Sequence, residues 1–176
     1  MIGIQIHKFA KELWPINRSI TGEGVRTTLN QIKKHLPDLE IKSVPSGTNV
    51  FDWVVPKEWV VNEAYIISPN GKKICDFKVN NLHLLGYSTQ FEGNINLEEL
   101  KEHLYTLPEQ PEAIPYITSY YKERWGFCLS QNQYDQLEDG EYYIKIDAIH
   151  FNGVLNYAEL IIPGKSKKEV FLSTYV

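Results

Sequence analysis

Apolar residues recur at helical spacing from the start of the chain. Ile6, Phe9, Ala10 and Leu13 fall at i, i+3, i+4 and i+7, with Lys8, Lys11 and Glu12 on the other side. This predicts an amphipathic helix that closes before Pro15. Val25, Leu29, Ile32 and Leu36 repeat the stripe, so a second helix runs from about Gly24 to His35 and Pro37 stops it. From Leu39 the period changes to two, as Leu39, Ile41 and Ser43 alternate with Glu40, Lys42 and Val44. The residues to about Ser88 read as β-structure. Within them Tyr65 to Ser68 and Lys73 to Phe77 flank Pro69-Asn70-Gly71, and Asn-Gly supplies the positive φ angles of a hairpin turn.

Asn96 with Glu99 three residues on predicts a capped helix over residues 97–104, whose apolar face is Leu97, Leu100 and Leu104. Ser130 and Gln133 repeat the capping spacing ahead of Tyr134 and Leu137, and Asp139-Gly140 ends that helix. Tyr142 to His150 and Val154 to Ile162 alternate on either side of Asn152-Gly153, the strongest hairpin signal in the chain. Val170, Phe171 and Leu172 open a last strand running to Val176. That strand stops with no polar cap or turn, from which a fragment is expected; a natural final strand tucked into a sheet is the other reading.

Composition narrows the class. The 176 residues carry 18 Lys plus Arg against 22 Asp plus Glu, for a net charge of −4, and are 43% hydrophobic and 23% charged. This excludes collagen, coiled coil and wholesale disorder, and allows one domain or two small ones. The first residues lack a secretory signal and no stretch is long and apolar enough to span a bilayer, so no membrane partner and a cytoplasmic location are expected. A pI near 5.7 with scattered cations argues against a nucleic-acid partner. Lys165, Lys167 and Lys168 read as a solvated turn. Cys75 and Cys128 make no CxxC and read as small buried hydrophobes.

His7, His35, His83, His103 and His150 form no HExxH, HxH or HxxxH pair, whereas a metal needs several converging ligands. No metal ligand is expected in this chain. No GxSxG elbow occurs and neither cysteine has neighbours that would activate a thiol, so no catalytic residue is assigned. His83, between apolar residues in NNLHLLGYS, stands apart from the other histidines.

Two segments hold candidate chemistry. The loop WPINRSITGEG sets Asn17, Arg18, Ser19 and Thr21 beside Trp14, and Gly22 and Gly24 allow close approach to backbone donors at the start of the second helix. Such a start favours an anion or carboxylate, and Arg18 adds a fork. A cap at Ser19 or Thr21 with Arg18 paired to an acidic neighbour is the equal alternative. In the second segment Tyr116, Tyr120, Tyr121, Trp125 and Phe127 surround Lys122, Glu123 and Arg124, which suits sugars, peptides, a protein surface or a domain interface.

Taken together, WPINRSITGEGVRTTL, VPSGTNVFDWVVPKEW, LPEQPEAIPYITSYYKERWGFCLS and the final VFLSTYV resemble the N-terminal part of the bacterial aminopeptidase-like proteins, often labelled polysaccharide-biosynthesis proteins with an aminopeptidase-like domain. The resemblance implies an α/β fold: an incomplete zinc-aminopeptidase-like core of the M28 kind with a mostly β inserted domain. It implies a core start at residues 1–44, the insert at 45–140, and a return to core strands at 141–176 before the family's metal-ligand motif. Zinc is thus implied for the full-length family and for no residue here. Arg18, Ser19 and Thr21 match its N-R-S-x-T-G block, and Tyr120, Tyr121, Arg124 and Trp125 its S-Y-Y-x-x-R-W-G-F block. The expectation is that these seven shape a pocket for a peptide-like or amino-sugar-like substrate, in a chain inactive alone that self-associates or joins a missing C-terminal half. A self-contained β-rich module binding a carbohydrate or a protein is the alternative.

Overall fold

Helix α1 spans Ile2–Leu13 and α2 spans Glu23–His35 in the computed structural model, which describes residues 2–176. The strands are β1 (Glu40–Pro45), β2 (Asn49–Val50), β3 (Trp53–Val54), β4 (Glu58–Ile67), β5 (Lys73–Ile74), β6 (Phe91–Asn96), β7 (Leu104–Tyr105), β8 (Phe127–Cys128), β9 (Glu141–Phe151) and β10 (Val154–Glu159). A 3-10 turn at Asn81–His83 and the short helices α3 (Leu97–Lys101) and α4 (Gln131–Tyr134) complete the set. The chain is a mixed α/β protein with small sheets that divides into two compact units.

The first unit comprises the residues up to Glu58 together with Phe151–Val176. Helix α2 buries Val25 and Leu29 of the stripe its sequence spacing predicts, with Thr28 beside them, while Leu36 of that stripe is exposed. Strand β1 pairs antiparallel with β10 from Glu40 opposite Glu159 to Pro45 opposite Val154. Phe9 meets His35 edge to face, with ring centroids 4.8 Å apart.

The second unit, Trp59–His150, holds a four-stranded sheet in the order β5-β4-β9-β6. Alternation in β9 buries Tyr142, Ile144, Ile146 and Ala148, and β6 lies antiparallel beside it with Ile95 opposite Tyr142. Phe127, Cys128, Leu129, Leu85 and Leu100 close the core. The units differ sharply in burial. Among the described residues, unit 1 supplies four of the twenty-one buried apolar side chains, Val25, Leu29, Leu39 and Val55, and seventeen of the twenty-one exposed large hydrophobics.

Several expectations hold locally. Asn70-Gly71 turns β4 into β5, with Gly71 at φ 81° and Ile67 opposite Lys73. The capping box forms at α4, where Ser130 Oγ accepts from Gln133 N and the Gln133 side chain accepts from Ser130 N. Cys75 and Cys128 are free and buried.

Four expectations are corrected. Asn152-Gly153 makes no hairpin: β9 lies between β4 and β6, whereas β10 pairs with β1. The turn is instead pinned within unit 1, as Ser46 N donates to the Gly153 carbonyl at 3.0 Å and Gly153 N donates to Ser46 Oγ at 3.1 Å. The helix at Leu97 ends at Lys101, because Leu104 is drawn into a parallel pairing of β7 with β8. The helix at Gln131 ends at Tyr134, well before Gly140. No strand forms over residues 170–176, which are exposed and have no pairing partner. The expected insert at 45–140 and the compact unit at Trp59–His150 overlap with different boundaries.

Candidate functional site

The polar loop of unit 1 is built by close approach to α2. A Cβ on Gly24 would sit 1.8 Å from the carbonyl oxygen of Asn17, so only glycine lets the loop lie on the helix start. Gly22 is the N-cap at φ 101° and offers no side-chain cap, which leaves Ser19 and Thr21 out of that role. Arg18 donates to the carbonyl of Leu13, closing the C-terminal end of α1 rather than pairing with an acid. Ser19 Oγ is buried with no hydrogen-bond partner, and Thr21 is buried nearly completely.

Unit 1 also contains an ion pair that sequence spacing does not announce. Arg26 Nη2 donates to Glu58 Oε1 at 2.6 Å, and Glu58 Oε2 accepts from Val154 N at 3.2 Å. The Arg26 guanidinium holds the Glu58 carboxyl below its ordinary range against the opposing cost of burial, and Glu58 in turn raises Arg26. Arg26 Nη1 reaches Asn156 Oδ1 at 3.4 Å and Nε reaches Glu23 at 2.8 Å. Helix α2, the start of β4 and the start of β10 are joined through one guanidinium.

In unit 2 the aromatic segment is held from within. Arg124 donates from Nε to Ser119 Oγ at 3.1 Å, from Nη1 to Tyr105 Oη at 3.2 Å and from Nη2 to the Thr118 carbonyl at 3.2 Å. Two of these nitrogens serve the loop itself and the third ties it to Tyr105 of β7. Trp125 is sandwiched between His103, at 3.6 Å and 8°, and Phe91, at 4.2 Å and 18°. Tyr120 packs edge to face on Tyr87 at 4.8 Å, and its hydroxyl lies 3.4 Å from that of Tyr116. Tyr121 is 84% exposed.

The structure also assembles a group that the sequence scatters. Trp59 stacks on Tyr87 at 5.5 Å, His150 approaches Tyr87 at 5.6 Å and Trp59 at 6.5 Å, and Trp59 Nε1 donates to the Ser88 carbonyl at 3.0 Å. Tyr87 holds a φ of 65°, rare for a bulky residue, while its ring packs among these neighbours. His150, near the end of β9, lies beside two aromatic rings. The only advance signals were the aromatic identities of Trp59 and Tyr87. His83 is buried, with Nδ1 2.9 Å from the Cys128 carbonyl, a satisfied core histidine.

Among the described residues, no group of three or more His, Cys, Asp or Glu side chains converges to hold a metal ion. The donor set therefore does not fit a zinc ion, and no chemistry is routed through one. Burial pushes the Cys75 thiol up to about 12 and the Cys128 thiol up to about 11, far from the activated range of a nucleophile. Among the described residues, no helix is long and apolar enough to cross a membrane.

Comparison with known proteins agrees with this picture at the level of family. A Clostridium acetobutylicum protein named "Putative polysaccharide biosynthesis protein with aminopeptidase-like domain" is 50% identical over 173 residues, which are 98% of this chain and 40% of that protein. The crystal structure of a "putative peptidase" from Clostridium acetobutylicum matches with a TM-score of 0.84 at 50% identity, covering 89% of this chain and 37% of that one. The chain spans well under half the length of both. The sequence profile of one family covers residues 58–149, nearly the same stretch as unit 2. The chain belongs to that family, described as "Domain of unknown function (DUF2172)".

Proposed function

We propose that this chain is the N-terminal portion of an aminopeptidase-like metallo-hydrolase linked to polysaccharide biosynthesis, supplying scaffold and substrate-facing surface but not the ion. The observation that carries the reading is the 50% identity running through 98% of the chain to a relative named for an aminopeptidase-like domain. In this reading unit 1 begins an M28-type core, and unit 2 is the inserted domain. Arg18, Ser19 and Thr21 contribute on unit 1, and Tyr120, Tyr121, Arg124 and Trp125 on unit 2. The polar groups of Arg124 are spent on Ser119, Thr118 and Tyr105 of β7, so its part is to fix the tyrosines rather than to touch substrate. A peptide-like or amino-sugar-like substrate fits tyrosines with polar tips. Zinc, where the full-length family binds it, would act as Lewis acid and water activator.

The test compares two polypeptides. The 176-residue chain should hold no stoichiometric zinc and release no amino acid from aminopeptidase substrates, while the full-length Clostridium acetobutylicum relative should do both. Stoichiometric metal in the short chain, or neither property in the long one, overturns the reading.

One observation favours a second reading, a binding module for a carbohydrate or a protein. Unit 2 closes its own core and displays Tyr116 and Tyr121 on a loop that Arg124 holds. A saturable tryptophan-fluorescence response of the 176-residue chain to an oligosaccharide, lost in Tyr121→Ala, would decide for it.

A further inference from the structure

We infer that unit 1 presents a docking surface for polypeptide outside this chain, made by the apolar residues of α1 and of residues 161–176. The occupant is the part of the full-length family that the match leaves uncovered. The inference rests on the reading above and adds where the two parts meet.

Burial carries it. Unit 2 buries seventeen apolar side chains and exposes four large ones, the balance of a closed domain; unit 1 inverts that balance, burying four and exposing seventeen. Ordering a residue costs about 1–2 kcal/mol of backbone entropy, which burial of apolar area must offset. Four fully buried side chains offset only part of it, which leaves unit 1 the weaker of the two units. The exposed residues are concentrated in two segments, the first turns of α1 and the run after Ile161. Ile2, Ile4 and Ile6 are 75%, 69% and 62% exposed on a helix that buries nothing, and Val170, Phe171, Leu172 and Tyr175 are each at least 88% exposed in a run with strong β-propensity. Among the described residues, strands β1 and β10 form a two-stranded ribbon with no third strand on either edge, a surface open to strand addition.

The choice of occupant follows from length. The matched residues are 40% of the curated relative and 37% of the crystallised one, so polypeptide of ample size exists in the family to cover these residues. A second copy of this chain would be the occupant only if the 176-residue protein dimerised.

Hydrogen-exchange mass spectrometry on two intact proteins tests this: the 176-residue chain and the full-length Clostridium acetobutylicum relative. The amides of unit 2 should be protected alike in both. Those of α1 and residues 161–176 should exchange freely in the short chain, and the aligned segments should exchange roughly 100-fold more slowly in the long one. Replacing Phe171 and Leu172 by Asp should leave the melting temperature of the short chain unchanged, whereas Asp at the aligned positions should lower that of the relative. Free exchange of these segments in the relative overturns the inference. So does a short chain that protects them as a dimer by light scattering. A protected relative with no peptidase activity would sink the functional reading and leave this one standing, and an active relative with unprotected segments would do the reverse.

Discussion

Arg26 and Glu58, thirty-two positions apart, form a hydrogen-bonded ion pair in which the glutamate side chain is only 5% exposed and the arginine 30%. A nearly buried carboxylate is tolerable only while its partners stay in place, because leaving one unpaired costs more than the pair contributes. Arg26→Ala should destabilise unit 1 by about 2–3 kcal/mol, with Val154 N as the remaining donor to Glu58. Arg26→Lys should recover only part of this, since one ammonium cannot reach Glu58, Asn156 and Glu23 together. Urea denaturation followed by circular dichroism measures both.

The same pair sets a pH dependence. Glu58 has a folded pKa below its unfolded value, so the native state binds fewer protons there and the contribution is complete above the ordinary carboxylate range. It is lost as pH falls through that range toward the depressed folded value. Stability of the 176-residue chain should therefore decline on acidification below about pH 4.3, and Glu58→Gln should flatten that slope. An unchanged slope in the variant would show that other carboxylates govern acid unfolding.

Gly24 is fixed by space rather than by its backbone angle. With a Cβ 1.8 Å from the Asn17 carbonyl oxygen, Gly24→Ala must push the loop off α2. The expected loss is about 3 kcal/mol or more, and the opposite sign from the usual gain of alanine in a helix. If Gly24→Ala instead raises the melting temperature, the loop does not lie against the helix.

How much of this was legible in advance depended on how local each interaction is. The capping box at Ser130 and Gln133 and the turn at Asn70-Gly71 were readable because every participating atom lies within a few residues. Asn152-Gly153 has the same dipeptide yet joins strands of different sheets, because Ser46 and Glu58 arrive from far along the chain to hold it. EVFLSTYV has the composition of a buried strand, but strand formation needs a pairing partner and none is offered among the described residues. For the candidate sites, residue identity was legible and role was not. Arg124, expected from the resemblance to help shape a pocket, bonds Ser119, Thr118 and Tyr105 of β7, and the ring cluster of Trp59, Tyr87 and His150 exists only after folding.

The clasp at Arg124 can be tested by what replaces it. Three separate guanidinium nitrogens reach Ser119, Tyr105 and Thr118, and the charge lies 5.3 Å above the Tyr105 ring. Arg124→Lys should thus behave almost like Arg124→Ala, each costing about 2 kcal/mol. Amides 117–124 should lose exchange protection in both variants while those of β9 keep theirs. A lysine variant as stable as the parent would mean that charge alone, and not the fork, organises the segment.

The two thiols give a prediction independent of any family reading. Burial pushes Cys75 up to about 12 and Cys128 up to about 11, and the nucleophile in thiol exchange is the thiolate. At pH 8 a folded chain presents a negligible thiolate fraction, and both sulfurs are shielded from solvent. Ellman's reagent should therefore find no fast-reacting thiol in the native protein and two after denaturation. Both cysteines lie in unit 2, so their rate of labelling in intermediate urea reports the opening of that unit alone. If unit 1 is the less well buried of the two, its circular-dichroism signal from α1 and α2 should be lost at lower urea than the concentration at which the thiols become reactive. Coincident transitions would mean that the two units unfold as one and that the burial contrast between them has no energetic counterpart.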